Sequence, residues 1–73
     1  MYQAHDVCIR KEDREKADAI LDSHYQTGDI DDTQEFWGTR DGVETITYHI
    51  HPYIYEDFEA IVQEFKQAGI QTL

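Results

Sequence analysis

The chain has 73 residues, of which 16 are acidic and 6 basic, for a formal net charge of −10. A chain of this length makes one domain and buries only about 60% of the surface its unfolded form exposes, which disfavours a catalytic cleft enclosed within one protomer. Its one cysteine, Cys8, excludes an intramolecular disulfide; no apolar run follows Met1 and none approaches membrane-spanning length, so a cytoplasmic location is expected.

Residues 2–10 alternate, with His5, Val7 and Ile9 on one face and Ala4, Asp6 and Cys8 on the other, the period of a strand. Glu12 and Asp13 suit the positive end of a helix, and Ala17, Ile20, Leu21 and His24 then recur at helical spacing. The pattern predicts a helix over 12–26, stopped by Gly28. An acidic connection, Asp29 to Asp32, leads to two β-rich runs over 33–39 and 43–51.

Between those runs stands Asp41-Gly42, a strong signal for a two-residue type I′ hairpin. That turn sets Arg40 opposite Val43, Trp37 opposite Ile46 and Glu35 opposite Tyr48. Trp37, Ile46, Tyr48 and Ile50 then share the expected core face. Phe36, Thr45, Thr47, His49 and His51 share the other. Pro52 ends the second run because it cannot donate to a ladder.

A second helix is predicted over 54–68, with an apolar stripe of Ile54, Phe58, Ile61, Val62 and Phe65, and Gly69 as its stop. Residues 70–73 suffice for one short edge strand. The order β-α-β-β-α(-β) is that of a ferredoxin-like half-sandwich: an α+β fold with an antiparallel sheet and two helices packed on one face. Such a fold hosts many functions and carries little functional weight.

Charge distribution is more informative. Over residues 1–16 Asp6, Glu12, Asp13 and Glu15 cancel Arg10, Lys11, Arg14 and Lys16, whereas residues 17–73 hold twelve acids against Arg40 and Lys66. Such a chain is repelled by phosphate backbones and anionic lipid, so the expected partner is a basic protein rather than nucleic acid or membrane. Glu15, Asp18 and Asp22 line one face of the first helix, and Glu56 and Glu59 one face of the second. Their separation of about 5–6 Å is comparable with phosphate spacing, and like charges so placed cost helix stability. The simpler account is that acids keep a small protein soluble.

Other chemistry is sparse. His49 and His51 project from one strand face, with Asp6 on a neighbouring strand, a weak metal signal; the simpler reading is polar residues on an open sheet, and no cofactor or metal is expected. His5 and His24 fall at the core edge. Ser23 lies within a helix rather than on a nucleophile elbow, the four glycines are isolated, and no carboxylate pair stands in an apolar setting. Catalysis is therefore not expected.

The residues thus point to a non-enzymatic inhibitor that docks a polyanionic face onto the nucleic-acid groove of a basic protein. Anti-restriction and anti-CRISPR mimics, and immunity proteins that neutralise nucleases, are examples of this class. The expected contact residues are Asp18, Asp22, Asp29, Asp31, Asp32, Glu56 and Glu59, with Tyr25 as an aromatic anchor. A competing reading is a small-molecule- or metal-sensing regulatory domain that homodimerises through its open sheet face. A third is a structural subunit whose acidity has no specific role.

Overall fold

The computed structural model describes residues 3–73. Strand β1, His5–Arg10, buries Val7 and Ile9 on one face, as its alternation requires. Tyr2, assigned to the same strand by its pattern, lies outside the described residues. A 3₁₀ turn, Lys11–Asp13, carries the chain into helix α1, Arg14–Thr27. Glu12 and Asp13 therefore occupy the lead-in turn rather than the helix itself.

Helix α1 ends at Gly28, whose φ of 83° is the left-handed conformation that glycine adopts without a Cβ clash. The Asp29 N–H returns to the His24 carbonyl at 3.0 Å and closes the terminus. Strand β2, Gln34–Arg40, and strand β3, Val43–Ile50, follow. Asp41 and Gly42 both have positive φ, 52° and 80°, as a type I′ turn demands. The register is the one that turn dictates: Arg40 opposite Val43, Trp37 opposite Ile46, Glu35 opposite Tyr48.

The sheet is antiparallel throughout, in the order β1-β3-β2. Helix α2, Tyr55–Gln67, completes a small α+β architecture of three strands and two helices. Ile9, Ile46, Tyr48 and Ile50 from one sheet face meet Ala17 and Leu21 of α1 and Ile61 and Phe65 of α2 in one buried cluster. Ile30 and Ile70, from connecting segments, are buried with them. Ile30 bridges Pro52, Thr72 bridges Ile9, and the Leu73 N–H reaches the Cys8 carbonyl at 2.8 Å.

Two expectations about the core need correction. Trp37 shares a sheet face with Ile46 but is 51% exposed, because no residue of β2 is buried. Its ring is instead flanked by the Lys11 ammonium at 5.5 Å and the Arg14 guanidinium at 5.0 Å, a cation–π arrangement. Ile54 is not part of the α2 stripe: it is the extended residue before the helix, and it is exposed. Ile20, Phe58 and Val62 pack against the core as expected but are only partly buried.

Candidate functional site

The expected contact residues fall into two groups. Asp18, Asp22, Tyr25 and Asp32 line one open cleft of about 480 Å³, together with Leu21, Ile30, Thr33, Glu35 and Tyr48. The cleft lies where α1 passes over the start of edge strand β2, with the 29–33 connection at its mouth. Its position follows from the same fact that exposes Trp37: α1 covers the centre of the sheet and leaves β2 as a ledge.

Within the cleft the acids are not equivalent. Asp18, expected on the outer helix face, is half-buried and accepts a 2.9 Å hydrogen bond from the Tyr48 hydroxyl. Burial, and then this bond, hold the Tyr48 phenol well above its ordinary pKa of 10.0. Tyr48 is a core residue with its ring against Phe65, so its hydroxyl needs a partner and Asp18 supplies it. Arg14 reaches Asp18 at 3.5 Å and Glu35 at 3.6 Å from the rim. Asp22 is exposed.

At the mouth, the exposed Tyr25 donates to Asp32 Oδ1 at 3.3 Å. The charge of Asp32, and the bond to it, raise the Tyr25 pKa above its ordinary value. Thr33 Oγ1 is buried and has no hydrogen-bond partner among the described residues. Four carboxylates and two phenols thus surround a space that a hydrogen-bond donor of positive charge can enter.

The remaining expected residues stand elsewhere. Asp29 turns away from the cleft: it accepts bonds from the Thr27 hydroxyl at 2.9 Å and from His24 Nδ1 at 3.0 Å. Those two bonds, Thr27 foremost, hold its carboxyl below the usual range. Asp31 is exposed, and Glu56 and Glu59 are exposed on α2; none lines the cleft.

His24 joins the two helices. Its Nδ1 faces Asp29 and its Nε2 faces Glu64 of α2. Ionised carboxylates only accept, so a ring that bonds both of them carries hydrogen on both nitrogens, as an imidazolium. Burial opposes that charge, but the bonds to Glu64 and Asp29 prevail and raise its pKa above 6.5. The other core-edge histidine, His5, packs against the rings of Tyr55 and Phe58, each 5.0 Å away.

Of the cleft residues, the apolar Leu21 and Ile30 and the polar Thr33, Glu35 and Tyr48 are not among the expected contact residues. The signal for Glu35 was available, since the hairpin register sets it beside Tyr48 on the helix-facing side. A second hollow, of about 890 Å³ at the hairpin end, is lined by Arg10, Lys11, Glu12, Gly42, Val43 and Glu44. It holds none of the expected residues, and its charges oppose one another: Lys11 pairs with Glu44 at 3.2 Å. Among the described residues no helix is long and apolar enough to cross a membrane. Comparison with protein-family models, with curated proteins and with solved structures gave no match.

Proposed function

We propose that this chain is a non-enzymatic acidic binding protein that docks the α1–β2 cleft onto a basic, nucleic-acid-binding protein surface and blocks it. The observation that carries the reading is the convergence of Asp18, Asp22, Tyr25 and Asp32, from a helix and a separate loop, on one cleft. Arg14 provides an internal precedent, because a guanidinium already rests between Asp18 and Glu35 at the rim. A partner arginine or lysine entering the cleft would meet Asp22 and Asp32. Uncompensated charge around the cleft would speed encounter, and Tyr25 would supply the amphipathic contact that holds the complex. The scaffold proposed for this role is a ferredoxin-like half-sandwich with residues 70–73 as a rudimentary edge strand. The Thr72 bridge to Ile9 supports that assignment.

An arginine-rich peptide, titrated into the labelled protein and followed by NMR, tests the reading before a natural partner is in hand. Shifts should concentrate at Asp22, Tyr25, Asp32 and Thr33. They should fade between 0.1 and 1 M salt, where the Debye length falls from about 10 Å to about 3 Å. Asp22→Lys should weaken binding and Glu59→Lys should leave it nearly unchanged. Shifts spread evenly over all the acids would support acidity as a solubility device and reject the cleft.

A further inference from the structure

His49 and His51 do not line the cleft, and they sit two residues apart on the sheet face that the helices do not cover. Asp6 is the cross-strand partner of His49, and its Oδ1 lies 2.6 Å from His49 Nδ1. The Asp32 carbonyl oxygen lies 3.1 Å from His51 Nδ1. A carboxylate and a carbonyl accept but do not donate, so each Nδ1 carries its hydrogen. In the neutral ring that leaves a lone pair on each Nε2. Among the described residues neither Nε2 has a hydrogen-bond partner.

The two ring centres are 5.0 Å apart, with the planes at 86°. Two imidazoles that bind one tetrahedral ion at ~2.0–2.1 Å per nitrogen also stand with centres about 5 Å apart. We infer that His49 and His51 form an exchangeable two-histidine site for a first-row divalent cation such as Zn²⁺, Ni²⁺ or Cu²⁺. Asp6 and the Asp32 carbonyl set the tautomer from behind, the role outer partners play for ligating histidines. Imidazole donors favour these ions over Mg²⁺ and Ca²⁺. No group of three or more histidine, cysteine or carboxylate donors is assembled among the described residues. Water therefore completes the coordination, as in an open site rather than a closed structural one. The site uses the backbone carbonyl of Asp32, a cleft residue, but it does not rest on what the cleft binds.

The test is an NMR titration of the untagged, chelator-treated chain with Zn²⁺, and separately with Mg²⁺, observing the imidazole signals. Zn²⁺ should move His49 and His51 and leave His5 and His24 in place, and Mg²⁺ should move none. Losing an outer partner typically lowers metal affinity about 10–100-fold; Asp6→Ala, at an exposed position, should fall near the lower figure. His49→Ala or His51→Ala should each cost at least as much. Zn²⁺ binding that leaves the His49 and His51 rings unmoved overturns the site, as does undiminished affinity in His49→Ala. The wild-type titration decides even if a variant folds poorly.

Discussion

Strands β2 and β3 share a turn and a register, and aromatic or aliphatic side chains occur in both, yet their burial is opposite. Thr45, Ile46, Tyr48 and Ile50 of β3 are buried, whereas every residue of β2 is exposed. Helix cover, more than position in the sheet, accounts for the difference, since the other edge strand, β1, buries Val7 and Ile9. β3 is central, flanked by β1 and β2 and roofed by both helices; β2 is an edge that α1 only overhangs. The strand that lost its place in the core became one wall of the cleft. Its Glu35 and the β3 hydroxyl of Tyr48 meet the acids of α1 there. A polar site on a thin domain is thus built where helix cover ends, with little loss of core.

The comparison is broken most directly by truncating one cross-strand pair, Trp37 and Ile46, on either side. Ile46 is fully buried, so Ile46→Ala should cost about 2–5 kcal/mol, enough to threaten a domain of this size. Trp37→Ala should cost only about 1 kcal/mol, chiefly through loss of its contacts with Lys11 and Arg14. Urea denaturation of the two variants measures both, and equal losses would mean that β2 is covered in solution.

A smaller effect separates the two tyrosines of the cleft. Tyr48→Phe deprives half-buried Asp18 of its hydroxyl partner and should cost about 1–2 kcal/mol. Tyr25→Phe, at an exposed position, should change stability by less than about 0.5 kcal/mol. An unchanged denaturation midpoint in Tyr48→Phe would show that the wall does not depend on that bond.

The smallest effect sharpens the contrast between the helix pair and the ledge. His24 has a raised pKa in the folded chain, so its contribution is fully present below about 6.5, the unfolded value. It is lost as pH rises through the raised folded value. Asp29 is lowered, so its contribution runs the other way: present above the ordinary carboxylate value and lost as acid is added. Wild type should therefore lose stability from pH 6.5 upward more steeply than His24→Gln. Parallel midpoint curves across that range would show that the link to Glu64 and Asp29 is not formed.

Much of the molecule was legible in the chain because its signals are local. Asp41-Gly42 determined the hairpin register residue by residue, since only residues tolerant of positive φ make that turn. Gly28 and the Ala17–Leu21 spacing located the end and the buried face of α1 for the same kind of reason. The cleft was legible only in part. Asp18, Asp22, Tyr25 and Asp32 drew notice as acids and an aromatic, but that they converge while Asp29, Glu56 and Glu59 do not depends on how α1 lies over the sheet.

Local periodicity and turn chemistry, then, settled which residues are helical, which are extended, and which share a face; these are short-range steric facts written into each segment. Which of two faces or strands is covered is a different matter, settled by long-range packing that alternation cannot express. Trp37 and Ile46 have the same pattern, and only the placement of α1 separates a cation-flanked surface ring from a core residue. Likewise Tyr48 needs a hydrogen-bond partner wherever it is buried, but only the tertiary structure chose Asp18 and so converted a surface acid into a wall of the cleft.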